Sequence, residues 1–224
     1  MSMGWGSFVL AFIAFFVSHS VPVRPPVKPW LVARLGHRGF TALYSAMSLA
    51  ILAWLILATR QAPFVPLWDW APWQPYVPLI AMLGVCVILC LTLGRPNPLS
   101  FGGSRQERFD PARPGLVRLT RHPLLLALAI WALAHLVPNG DLASVILFGT
   151  FAAFALMGGR IIDRRKRRDM GQDWERLVVA LQATPVVDAV LACATLKRLV
   201  AGVLLWLALI ALHPVVLGVN PLPW

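Results

Sequence analysis

Six apolar runs govern what this chain can fold into. They cover residues 4–20, 39–59, 76–94, 123–137, 142–162 and 199–219. A lipid bilayer demands about 20 apolar residues of helix, because its core has no water to satisfy an open backbone. The fold class expected is therefore all-α: a polytopic membrane helix bundle of about six transmembrane helices. The fourth run is the shortest, and residues 118–121 are expected to extend it at the interface. Composition agrees, since 58% of the 224 residues are hydrophobic and only 13% are charged. A soluble domain of this size cannot hide that much apolar side chain. With no internal repeat and no low-complexity segment, residues 1–224 read as a single integral membrane domain.

The formal charge of +11 does not point to nucleic acid, because the basic residues lie in short loops between apolar runs. The first loop holds Arg24, Lys28, Arg34 and Arg38, and the second only Arg60. The third holds Arg95, Arg105, Arg108, Arg113, Arg118 and Arg121, and the fourth none. The fifth holds Arg160, Arg164, Arg165, Lys166, Arg167, Arg168, Arg176, Lys197 and Arg198. Alternate loops thus carry nineteen of the twenty Lys and Arg residues. The positive-inside rule places loops one, three and five in the cytoplasm and both termini outside. Basic loops of this kind face an anionic leaflet, so the lipid bilayer itself is the first expected partner. No Lys or Arg precedes the first run, whereas a signal peptide has a positive front end. That run is expected as a retained span.

The connections differ in character. Residues 61–75 carry Trp68, Trp70 and Trp73 among prolines, the aromatic belt expected at headgroup level, and a possible cover for an apolar substrate entrance. Residues 95–120 form a long loop rich in Gly, Pro and Arg, a candidate lid or partner surface. Residues 172–181 mix charged and apolar positions as an interfacial helix does.

Few residues here can carry chemistry. There is no Gly-rich phosphate loop, no serine in a nucleophile elbow and no His-Glu zinc helix. No acidic residue falls inside an apolar run, and Cys86, Cys90 and Cys193 form neither a zinc pattern nor a disulfide framework. Five histidines remain: His19, His37, His122, His135 and His213. Residues 116–141 concentrate two of them, with Arg118 and Arg121 before an Arg-His-Pro turn, and Pro138, Asn139 and Gly140 closing the run. His37 reads as a loop residue, His213 as interfacial and His122 as a helix cap. An ionisable group within or beside a span is a functional candidate by default. His19 and His135 stand out, being isolated in otherwise uncharged helices. Paired histidines without carboxylates suit a b-type haem, with imidazole on the iron and apolar walls around the macrocycle. By depth the natural pairs are His19 with His122, or His135 with His213.

At these residues the chain resembles the NnrU family. The likeness lies in residues 15–50, FFVSHSVPVRPPVKPW onward, and in residues 120–165, TRHPLLLALAIWALAHLVPNGD onward. The family comprises bacterial polytopic membrane proteins linked to denitrification and nitric oxide metabolism. It is similar to the plant zeta-carotene isomerase, a haem b membrane enzyme. The resemblance implies residence in the bacterial inner membrane, and haem b ligated by His19 and His135 with the His122 motif close by. It also implies a redox or isomerase-like reaction on an apolar, membrane-soluble small molecule. Arg121 or Arg118 would pair a haem propionate. The isomerase's cysteine three residues before the second histidine is Ala132 here, so thiolate chemistry is not carried over.

Arg121-His122-Pro123 with Asp163, Gly171-Gln172-Asp173-Trp174 and Thr184-Pro185 is also similar to the isoprenylcysteine methyltransferase superfamily. That likeness implies S-adenosylmethionine at His122 and Arg121. The family's paired acidic residues and downstream tyrosines are missing. A third reading is a membrane assembly factor without catalysis, its histidines structural.

Overall fold

The structure, a computed structural model, describes residues 3–101 and 106–222. Residues 102–105, including Arg105 of the basic third loop, lie outside the described residues. Among the described residues the chain is helical without a strand, as expected. Its helices are α1 (Met3–Ser20), α2 (Val27–Gln61), α3 (Tyr76–Thr92), α4 (Pro123–Leu136), α5 (Leu142–Met170), α6 (Gln172–Gln182), α7 (Val186–Leu191) and α8 (Leu196–Leu217). The six apolar runs appear as α1 to α5 and α8. Of these, α2, α5 and α8 are long and apolar enough to cross a membrane, while α1, α3 and α4 are shorter apolar helices. Large apolar side chains face outward on several of them: Leu49, Ile80 and Val215 are 67%, 70% and 81% exposed. Water would penalise that surface and lipid does not, so the chain has the character of a membrane protein.

Three boundaries depart from the sequence reading. The first basic loop is mostly helix, since α2 starts at Val27 and breaks at Gly36 (φ 69, ψ 167). Glycine alone tolerates that backbone well. His37 therefore lies on a helix just past the break, not in a loop. Secondly, α5 runs on through the basic stretch to Met170, because no Pro or Gly falls between Arg160 and Met170 and Gly171, at φ 57, follows. Thirdly, residues 118–121 do not extend α4. A 3-10 turn, Gly115–Arg118, stops short of it, and His122 is non-helical at φ −123, ψ 63. Pro123 imposes this, because its ring disfavours helical geometry in the residue before it. Residues 172–181, expected as a helix, are helical as α6.

The chain divides into two compact units: residues 1–68 with 141–147, and residues 69–140 with 148–224. In the first unit α1 and α2 form an antiparallel hairpin. Gly4 meets the Gln61 carbonyl and the Pro63 ring, where a Cβ has no room. Further along, Trp54 Nε1 donates to Ser7 Oγ at 3.4 Å, and the His19 ring packs edge-on against Tyr44. The Asp141 carboxylate caps α5 by accepting the Ser144 N–H at 3.0 Å.

In the second unit α3 packs against both α4 and α8. Three contacts set its antiparallel course along α8. Arg198 donates to the Cys90 carbonyl at 2.6 Å, satisfying the C-terminal end of α3 with a cation. A Cβ on Gly202 would stand 2.9 Å from Val87 Cα, so the two backbones touch there. Trp206 Nε1 donates to the Leu79 carbonyl at 3.0 Å. The other face of α4 packs on α5 through Leu125, Ala129 and Ala155. The small residues of α5 admit this approach, since a Cβ on Gly158 would be 3.2 Å from Leu125. Cys86 and Cys193 are buried, and all three cysteines are free.

Candidate functional site

The two ends of α4 hold different chemistry. At its start, the Arg-His-Pro turn is locked into a polar cluster. Arg121 donates through Nε and Nη2 to both oxygens of Asp163 on α5, at 2.5–3.2 Å. His122 Nε2 lies 3.0 Å from Asp163 Oδ1, and its Nδ1 lies 2.9 Å from Ser100 Oγ. Burial pushes the Asp163 carboxyl up, but the Arg121 hydrogen bonds and charge, with help from His122, hold it below the usual aspartate range. An ionised carboxylate only accepts, so His122 carries a hydrogen on Nε2. Asn97 Nδ2 completes the cluster by donating to the Arg121 carbonyl at 2.9 Å.

This corrects the reading of His122 as a cap. It holds the N-cap position, but its side chain makes no capping bond. Both ring nitrogens are spent on holding the third loop, α4 and α5 together. A cavity of about 370 Å³ opens beside the turn, lined by Arg118, Arg121, His122, Leu181 and Gln182. Arg118 is held there by its Nε bond to the Thr184 carbonyl at 2.8 Å.

At the far end of α4 the surroundings are apolar. A cavity of about 940 Å³ lies among α3, α4 and α8, with Trp70, Trp131, Trp206, Met82, His135 and His213 in its wall. His135 Nδ1 is 2.7 Å from the Trp131 carbonyl one turn earlier. A carbonyl only accepts, so Nδ1 carries the hydrogen and Nε2 keeps its lone pair. That nitrogen makes no hydrogen bond among the described residues. The ring is held by Trp131 and Phe148, both 5.4 Å away between centroids. Asn139 donates to the His135 carbonyl at 2.7 Å, satisfying one of the open carbonyls at the end of α4. Pro138, Asn139 and Gly140 thus end the helix as their turn chemistry predicts. Ala132 is fully buried.

His213 of α8 presents the same state in the same cavity, with Nδ1 2.7 Å from the Val219 carbonyl. His19 lies in the first unit and has its Nδ1 2.8 Å from the Phe15 carbonyl. The sequence-derived candidates are therefore distributed, with Arg121 and His122 at one end of α4, His135 at the other, and His19 on α1. No group of three or more His, Cys, Asp or Glu residues that could hold a metal ion occurs among the described residues. Two imidazoles with apolar walls still suit an iron macrocycle, whose ring supplies the equatorial ligands. The volume also lies within the roughly 300–1,000 Å³ typical of ligand pockets.

Sequence reasoning found the histidines but not the hydrogen bonds that hold His122. Ser100, Asn97 and Asp163 are far from His122 along the chain. Asp163 was named beside the Arg-His-Pro turn only through the methyltransferase likeness, while Ser100 and Asn97 gave no signal. Trp206 gave none, being one apolar residue among many.

Fold and site together define a helical membrane protein with histidines at both ends of α4 and an apolar cavity at one end. The family described as NnrU protein matches residues 7–221, nearly the whole chain. The chain belongs to the NnrU family. No curated protein and no solved structure matches it.

Proposed function

We propose that this protein is a haem-binding, multi-pass protein of the bacterial inner membrane, with six spans and both termini outside. One observation carries the reading: His135 offers an Nε2 lone pair to a large apolar cavity, its tautomer held by the Trp131 carbonyl. Metal-ligating histidines characteristically donate their other ring N–H in this way, which fixes the ring and raises its basicity. His135 would ligate the iron of a b-type haem, and Trp131, Trp206 and Met82 would wall the macrocycle from water. When bound, such a group supplies one-electron chemistry or a Lewis-acidic iron to an apolar substrate dissolved in the membrane. The family likeness directs that chemistry toward nitrogen-oxide metabolism or an isomerase-like redox step. The test is a pyridine haemochromogen assay on full-length protein purified in detergent from haem-replete cells. A single haem b per chain is expected, and well-folded protein without haem would overturn the reading.

A second reading rests on the other cavity. Its volume of about 370 Å³ beside Arg121 and His122 would suit S-adenosylmethionine and methyl transfer to a membrane-embedded acceptor. Calorimetric titration of the full chain with S-adenosylmethionine tests it. Binding that Arg118→Ala abolishes supports methyl transfer, and absence of heat removes it.

A further inference from the structure

Three histidines of the second unit form an internal comparison. His122 has both ring nitrogens engaged, by Ser100 and Asp163. That is how a structural histidine is satisfied. Among the described residues His135 and His213 each use only Nδ1, and each gives it to a backbone carbonyl. Among the described residues neither Nε2 has a hydrogen-bond partner, and both histidines stand in the wall of one apolar cavity. Two imidazoles in the same tautomer, on two helices, thus line one apolar space.

The local chain around His213 is built for this. Pro214 stands inside α8 and has no N–H to give the carbonyl one turn back, that of Ile210, a cavity residue. Gly218 then closes the helix in the left-handed conformation (φ 66), donating its N–H to the Pro214 carbonyl at 2.9 Å. This reversal brings the Val219 carbonyl back to His213 Nδ1. A side chain at residue 218 would strain that backbone, so Gly218 is a positioning residue for the His213 ring.

We propose that His213 would hold the iron of a haem in this cavity together with His135, and that Gly218 sets its tautomer. The inference rests on the haem reading above and adds a residue that the family likeness did not supply. That likeness implied His19 beside His135.

The test uses full-length protein purified in detergent and loaded with haem, read by absorption and electron paramagnetic resonance. Wild type is expected to be six-coordinate and low-spin. His213→Ala should keep its haem through His135 but turn high-spin, and added imidazole should restore the low-spin signal. Gly218→Val should give a mixture of the two spin states. His135→Ala should lose most of the haem. A low-spin His213→Ala protein, with His19→Ala turning high-spin instead, overturns this assignment while the haem reading stands. High-spin wild type also overturns it. Failure of folded wild type to take up haem overturns both.

Discussion

His122 and His135 lie thirteen residues apart, one just before α4 and one near its end, and are asked for opposite things. His122 is consumed by its neighbours, and Asp163 is the group on which that cluster turns. Replacing Asp163 by Asn removes a charged acceptor from Arg121 and His122 together. Hydrogen bonds to charged groups contribute about 1.5–3 kcal/mol each, less where water reaches them. Asp163→Asn is therefore expected to lower stability by about 1–3 kcal/mol near neutral pH, read as thermal unfolding in detergent. The pH dependence follows from the depressed carboxyl. Its stabilisation is complete above the ordinary aspartate value of about 4, and is lost as pH falls through the lower native value. Wild type and Asp163→Asn should differ at pH 6–7 and converge as the carboxyl protonates. Melting curves that stay equally far apart at pH 3 would contradict this.

At the scale of elements, α3 and α8 are held by contacts at both ends and by bare backbone in the middle. Gly202 is the point of closest approach, and a side chain there must displace Val87. Overpacking of this kind costs about 1–3 kcal/mol. Gly202→Leu should lower the melting temperature and reduce cavity binding, while Gly149→Leu, where a Cβ meets open space, should do neither. The helices themselves were legible in the sequence, because apolar runs and Pro or Gly breakers are local signals. Pro123 and the Pro138-Asn139-Gly140 turn marked both ends of α4. What was not legible was how far polar sequence continues a helix. The basic run after Ile162 is as helical as the span before it, since arginine and lysine are good helix formers and Gly171 is the first breaker.

For the whole molecule, the charge pattern predicts a topology that reporter fusions can read. Fusions after residue 68 and after residue 141 should report the outer side, and fusions after residues 110 and 176 the cytoplasm. The same side for residues 110 and 141 would refute six spans. Of the candidate site, the sequence pointed to the histidines and, by depth, to two alternative pairs, His19 with His122 or His135 with His213. The tautomer locks, the cluster around Asp163 and the tryptophan-lined cavity depend on residues brought together from distant helices, which no spacing along one chain reveals.

His135 is the residue on which the proposed haem site depends. The most direct measurement is a reduced-minus-oxidised absorption spectrum of full-length wild type beside His135→Ala, both purified from haem-replete cells. A b-type spectrum in wild type that is nearly absent from folded His135→Ala protein is the predicted result. A colourless wild type, or an undiminished spectrum in His135→Ala, would contradict it.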